Sequence, residues 1–183
     1  MLYMIQITPA LSLKPIKTSD SKELYTLMQE IYPFAYQHFW KDKGEWYVNT
    51  VYSAKNIKKE LLEVHTAYFF ILFNNEVVGN FRILWDHKLP GFENKKSVKL
   101  HRVYVLEKTQ GNGIGKTLLT WLENTAKEKG YELIWLDAMD EQPQAFQFYK
   151  KQGYKYHSHE FLDFELLYDN VRKMSQIYKE INQ

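Results

Sequence analysis

Apolar positions along the 183-residue chain switch repeatedly between a period of two and a period near 3.6. Leu11-Ser12-Leu13-Lys14-Pro15-Ile16 alternates and predicts a strand. Behind it, Ser19 and Asp20, with Glu23 as a capping partner, open a helix whose Leu24, Leu27, Met28 and Ile31 keep helical spacing. An aromatic-rich stretch follows at 32–52, and Ser53 then starts a short helix with Ile57, Leu61 and Leu62 inward. Residues 67–73 are almost wholly apolar, Asn74-Asn75 marks a tight turn and 77–85 resumes a β-branched and aromatic run, which together predict a hairpin. A strand at 98–106 comes next. Ile114, Leu118, Leu119, Leu122 and Ala126 trace a helical stripe that ends at Lys127, Lys129 and Gly130, the cations and the glycine that a helix C-terminus favours.

Residues 131–137 form a buried-type strand, Pro143 sits at the first turn of another helix, Gly153 stops that helix, and a strand begins at Tyr154. The tail is ambiguous, because Val171, Met174, Ile177, Tyr178 and Ile181 keep helical spacing where a mixed sheet would gain from a last strand. The order of elements indicates one α/β domain over residues 1–183, a mixed and mostly antiparallel sheet with helices on both faces.

Composition narrows the function classes. An apolar share of 45% with 16% aromatics suits a folded core, and no apolar run approaches the ~18 residues of a membrane span. Twenty-four basic against 22 acidic side chains, with Arg82, Arg102 and Arg172 the only arginines, give no phosphate-tracking surface, so nucleic acid is not an expected partner. With no cysteine there is no disulfide framework, thiolate cluster or thiol nucleophile. Met1-Leu2-Tyr3-Met4 lacks the features of a signal peptide, which predicts a cytoplasmic protein without a membrane anchor.

The chemistry concentrates after the third predicted strand of the central run. There Val103-Tyr104-Val105 leads into Gln110-Gly111-Asn112-Gly113-Ile114-Gly115-Lys116-Thr117 and a strong helix. Amides unobstructed by side chains, at a helix N-terminus carrying about half a positive charge, make an anion cradle. A P-loop would need glycine where Gln110 stands, and the dinucleotide fingerprint would need it at Lys116. What remains is Gln110-x-x-Gly113-x-Gly115, which resembles the pyrophosphate loop of the GNAT-type N-acetyltransferases.

A second segment, Gln142-Pro143-Gln144-Ala145-Phe146-Gln147-Phe148-Tyr149-Lys150-Lys151-Gln152-Gly153-Tyr154, is similar to that family's Asn-x-x-Ala-x-x-Phe-Tyr-x-x-x-Gly-Phe, with Gln142 and Tyr154 as departures. The resemblance covers residues 11–154 in element order and is motif-specific over 98–154. It implies acetyl-coenzyme A as cosubstrate, contacted by Val103, Tyr104, Val105, Gln110, Gly111, Asn112, Gly113, Ile114, Gly115, Lys116, Gln142 and Phe148. It also implies two final antiparallel strands, and so favours a strand near Met174 over a helix.

Acetyl transfer to an amine of pKa ~10.4 must overcome about three pH units, roughly 4 kcal/mol, to reach the neutral nucleophile near pH 7. Lys99, His101 and Val103 alternate to one face of the strand, and His101 alone titrates near ~6.5, which makes it the base candidate; packing within the sheet is its other reading. The resemblance places the general acid for the leaving thiolate at Tyr149, and an oxyanion donor at the backbone N–H of Val103 or Val105.

The implied acceptor wall takes in Tyr32, Phe34, Tyr36, Phe39, Trp40, Trp46 and Tyr47, many of which also suit an ordinary core. Asp86, Asp137, Asp140, Glu141, Asp163 and Glu165 fall at strand ends and loops where carboxylates could attract a cation. Phe69-Phe70-Ile71-Leu72-Phe73 and Ile134-Trp135-Leu136 look most like the PaiA-type polyamine acetyltransferases. His157-Ser158-His159 would put two imidazoles on one strand face, a metal pair with no third ligand indicated; surface or edge histidines are the preferred reading, and no metal site is expected.

The leading expectation is therefore acetyl transfer to a primary amine of a small, polyamine-like molecule. The alternatives are a protein or peptide amine, a non-catalytic acyl-coenzyme A sensor, and a remote nucleotide-binding module using Gly115-Lys116-Thr117. A homodimer is compatible with any of them.

Overall fold

The computed structural model describes residues 3–181; Met1 and Leu2, half of the start read above, lie outside them. One eight-stranded sheet runs through the molecule: β1 (Ile5–Gln6), β2 (Leu11–Pro15), β3 (Thr66–Phe73), β4 (Glu76–Leu84), β5 (Ser97–Val105), β6 (Leu133–Met139), β7 (Lys155–Phe161) and β8 (Lys173–Glu180). Their spatial order is β1-β2-β3-β4-β5-β6-β8-β7. Every neighbouring pair is antiparallel except β5 with β6. Among the described residues five α-helices accompany the sheet: α1 (Ser21–Tyr36), α2 (Glu45–Val51), α3 (Ala54–Leu61), α4 (Ile114–Glu128) and α5 (Pro143–Lys151).

Helices cover both faces, as successive residues of β4 show. The Asn80 amide reaches Met28 of α1 at 2.9 Å, whereas the Phe81 ring meets Trp121 of α4 edge-on. Because strand side chains alternate, α1 and α4 lie on opposite sides of the sheet. The predicted stripes are the buried ones: Leu24 and Met28 of α1, and Leu118 and Leu122 of α4, are fully enclosed. Burial of each such side chain contributes about 1.5–3 kcal/mol. Asn74 and Asn75 both adopt positive φ (51° and 66°), the mirror-image turn that matches the twist of a two-residue hairpin.

Two elements were not anticipated. The short strand β1 pairs with β2, and the aromatic stretch folds its own helix, α2. The tail resolves as a strand. β8 pairs with β6 from Leu133↔Glu180 to Met139↔Met174 and with β7 on its other side. Ser175 and Ile177 are buried on one face while Met174 and Tyr178 are half-buried on the other. Apolar side chains on both faces of a strand imitate helical spacing, which is why periodicity misleads there.

Candidate active site

The parallel pair β5–β6 is joined only at Ser97↔Leu133, Val98↔Ile134 and Lys99↔Trp135. Beyond Lys99, β5 continues on β4 and β6 continues on β8, so the sheet opens into a cleft. A bulge accompanies the opening: Arg82 faces Arg102 and Ile83 faces Leu100, leaving His101 as the extra residue of β5. Bulges bend a strand and re-aim its side chains. The amide of Leu106 donates to Val78 O at 2.8 Å, which fixes the parity of β5. Tyr104 and Arg102 turn their N–H groups toward β4, and Val103 and Val105 turn theirs into the cleft.

The close approach of β4 to β5 requires Gly79, where a Cβ would stand 2.0 Å from Tyr104 O. The cleft encloses about 150 Å³ and is lined by His101, Val103, Leu136, Gln142, Ala145 and Tyr149 among others.

At one end of β5 lies the glycine loop. Gly111 and Gly113 hold positive φ (82° and 73°), a region that favours glycine. The Asn112 side chain donates to Thr109 O at 3.1 Å and tightens the loop. The first intrahelical backbone bond of α4 runs from Thr117 N–H to Gly113 O at 3.0 Å, so the amides of Ile114, Gly115 and Lys116 have no partner within the helix. Gln110 and Lys116 are exposed beside them. This set of free amides fits a pyrophosphate, and the adjoining cleft fits the extended thiol arm of coenzyme A. Gly115 packs against α5, with an ideal Cβ 3.4 Å from the Phe148 ring.

Phe148 in turn meets Tyr149 edge-on at 5.2 Å. Gln142 lines the cleft, and its side-chain amide donates to Ala35 O of α1 at 2.6 Å, tying α5 to α1.

Tyr149 is buried and its hydroxyl has no hydrogen-bond partner among the described residues. Burial, reinforced by the Tyr36 phenol, pushes its pKa above the usual phenol value, so it stays protonated. On the other side of the cleft mouth is a cavity of about 340 Å³. Its walls are Tyr32, Tyr36, Phe39, Trp40, Tyr47, Tyr104 and Phe164, with Tyr32 stacked on Tyr47 at 4.4 Å and on Tyr36 at 5.0 Å. Burial also raises Tyr32, Tyr36 and Tyr104, which keeps these walls uncharged. Of the predicted aromatics, Phe34 lies apart and is exposed, and Trp46 stands at the rim beside Phe164.

His101, Arg102, Tyr104 and Asp137 line both the cleft and this cavity. Asp137 Oδ2 is held by Lys99 Nζ at 2.5 Å, while its Oδ1 is buried without a partner. His101 Nδ1 lies 3.0 Å from Arg82 Nη1. Burial, then the charges of Arg102, Arg82 and Lys99, push the imidazole down to about 2, so it is neutral at ordinary pH. Neutrality alone suits a base, but the occupied Nδ1 does not.

Sequence reasoning overlooked what surrounds His101. Glu60 of α3 takes Arg102 in a two-pronged pair at 2.6 and 2.7 Å and Arg82 at 3.2 Å, and Glu63 adds a second contact to Arg82. Two of only three arginines on adjoining strands were the available signal. The paired-imidazole expectation is corrected: β7 bulges between Tyr156 and Ser158, His157 bonds Pro90 O at 2.7 Å and His159 bonds the Tyr156 hydroxyl at 2.6 Å. Among the described residues no group of three or more His, Asp or Glu side chains could hold a metal ion. No helix among them is long and apolar enough to cross a membrane.

Comparisons agree with this geometry. The sequence profile of the acetyltransferase (GNAT) family matches residues 22–154. The aminoalkylphosphonate N-acetyltransferase of Salmonella typhimurium is 26% identical over 151 residues, covering 81% of this chain and 88% of that protein. A ribosomal L7/L12 alpha-N-protein acetyltransferase solved with coenzyme A superposes with TM-score 0.72 at 15% identity over 98% of both chains. The PaiA N-acetyltransferase of Thermoplasma acidophilum, also solved with coenzyme A, superposes with TM-score 0.68 at 16% identity over 93% of this chain and 99% of that one. The glycine loop, the parted strands and the profile match together establish that the chain belongs to the GNAT family, as an N-acetyltransferase that uses acetyl-coenzyme A.

Proposed function

We propose that the acceptor is a primary amine of a small, polyamine-like molecule, bound in the aromatic cavity with its reacting end at Asp137. The observation that carries this reading is the continuity of cavity and cleft through His101, Arg102, Tyr104 and Asp137. A few hundred Å³ walled by aromatic rings suits a small molecule. Beyond Phe164 a second, open concavity is lined by Trp46, Asp163 and Glu165. Carboxylates on either side of an aromatic passage match a methylene chain with an ammonium at each end, since aromatic faces also attract cations. An acceptor carrying a phosphonate, as the Salmonella relative's name specifies, would bring an anion toward those carboxylates.

The residues divide the work. Asp137, on the wall shared by cavity and cleft, offers its carboxylate to the ammonium, and Lys99 keeps that carboxylate in place. Desolvation in the cavity lowers the amine's pKa and eases loss of its proton to Asp137 or to water. The neutral amine nitrogen adds to the thioester carbon, its second proton leaves to Asp137 or water, and the C–S bond then breaks as the oxyanion collapses to the amide. Tyr149 gives the departing sulfur its proton and recovers one from solvent. The N–H groups of Val103 and Val105 face the cleft where the carbonyl oxygen gains charge. Of the cofactor-contact residues, the loop 110–116 holds the pyrophosphate by its amides, Phe148 supports that loop, and Gln142 braces the cleft.

Because the chain has no cysteine, every thiol released in an assay comes from coenzyme A. Thiol release should be fastest, by kcat/KM, with linear di- and polyamines, and slower with aminoalkylphosphonates and lysine or N-terminal peptides. Asp137→Asn should raise KM for the amine. A preference for peptides over every small amine would overturn the assignment.

A further inference from the structure

Arginine can only donate hydrogen bonds, so the imidazole nitrogen 3.0 Å from Arg82 Nη1 must be an acceptor. In the neutral ring the proton then resides on Nε2. Arg82 has little freedom to do otherwise: it is 2% exposed and clamped by Glu60 and Glu63. The bulge sets His101 on the wall shared by cleft and cavity, and its Nε2 has no partner among the described residues.

We propose that Arg82 is a positioning residue that locks His101 as an Nε2–H donor, so that His101 hydrogen-bonds the thioester carbonyl oxygen as it gains negative charge, instead of taking the amine's proton. The inference rests on the acetyl-transfer reading above. It places a side-chain donor beside the Val103 amide in the oxyanion site, and it leaves the amine's proton to Asp137 or water. When the nitrogen adds to the carbonyl, the π pair moves to the oxygen that His101 faces; when the C–S bond breaks, the pair returns and no proton has moved through the imidazole.

The charged and titratable groups around His101 are consistent with a ring that stays neutral. Arg82 comes from β4, His87 from the loop between β4 and β5, and Lys99 and Arg102 from β5, with Asp137 on β6, Glu60 on α3, Glu63 just beyond α3 and Tyr36 on α1. Three fixed cations oppose a further positive charge, and the carboxylates are committed to them.

Nitrogen-15 NMR of the histidines in the whole protein, with His101 assigned by its absence in His101→Gln, gives the first test. The Nε2–H tautomer should persist from pH 5 to pH 9. In parallel, His101→Gln retains a donor near the Nε2 position but no basic nitrogen, and should keep kcat within about tenfold. His101→Ala should lose about a hundredfold, as removal of an oxyanion donor does. The acid limb of kcat/KM should be unchanged in His101→Gln.

An Nδ1–H or cationic ring overturns the proposal, as does a His101→Gln enzyme as slow as His101→Ala with its acid limb gone. Absence of turnover by the wild-type protein with every amine would instead remove the acetyl-transfer reading and, with it, the oxyanion role, while the spectrum still decides the Arg82 lock.

Discussion

Replacing Glu60 with alanine removes three arginine contacts at once, and with them the hydrogen bond from the Asn56 side-chain amide at 3.2 Å. Its carboxylate meets Arg102 at 2.6 and 2.7 Å and Arg82 at 3.2 Å, and the three residues are 6%, 8% and 2% exposed. Arg82 would keep Glu63. Arg102 would be left with the Tyr68 hydroxyl at 3.3 Å and the faces of the Tyr52 and Tyr68 rings, none of which carries a compensating charge. Stranding a buried charge in this way costs about 3–5 kcal/mol. For a protein of this size each kcal/mol moves Tm by roughly 2–4 °C, so Glu60→Ala should melt about 6–20 °C lower. Urea unfolding with an unchanged m value is the assay. The double variant Glu60→Met with Arg102→Met leaves no unpaired ion there and should be more stable than Glu60→Ala alone. A loss below about 1 kcal/mol in the single variant, or a double variant less stable than either single, would refute the argument that desolvation of an orphaned arginine dominates.

Other consequences are equally direct. Gly79→Ala puts a Cβ 2.0 Å from Tyr104 O, so β4 and β5 must part; a loss of about 2–3 kcal/mol and weaker acetyl-coenzyme A binding are expected from unfolding curves and calorimetry. Gly113→Ala forces an L side chain to φ 73° at the N-terminus of α4, which should cost about 1 kcal/mol and raise the Kd for acetyl-coenzyme A.

The third concerns pH. His101 is pushed down to about 2 when folded, against ~6.5 unfolded, so the unfolded state binds the extra proton between those values. Its contribution is intact above pH 6.5 and declines on acidification, by about 2 kcal/mol at pH 5. His101→Gln should show a correspondingly flatter fall in stability between pH 6.5 and pH 5, and an identical slope in both proteins would show that the imidazole is not buried neutral.

The hairpin, α4 and the Gln110-x-x-Gly113-x-Gly115 loop were legible because each depends on local signals: paired asparagines able to take positive φ, an unbroken apolar stripe, and glycines before a helix. The tail strand was legible only through the family resemblance, since its two half-covered faces give no clean period. The candidate site was partly legible. Tyr149 and the loop follow from motif position, and Asp137 was one of six carboxylates that sequence could not rank. What singles it out is the parting of β5 from β6, a tertiary event marked locally by nothing more than a bulge. The role proposed for His101 depends on Arg82, which is 19 residues away in sequence and meets it across the β4–β5 ladder. Spacing carries no trace of that contact.

The most direct test of the central claim is product analysis: acetyl-coenzyme A, a di- or polyamine and the protein, with free thiol and acetylated amine quantified together. Equal, acceptor-dependent amounts of both, with kcat reduced at least tenfold in Tyr149→Phe while acetyl-coenzyme A still binds, are predicted. Intact cofactor binding without acetylated amine, across small amines and peptides alike, would contradict the account and favour a protein that senses acyl-coenzyme A without transferring from it.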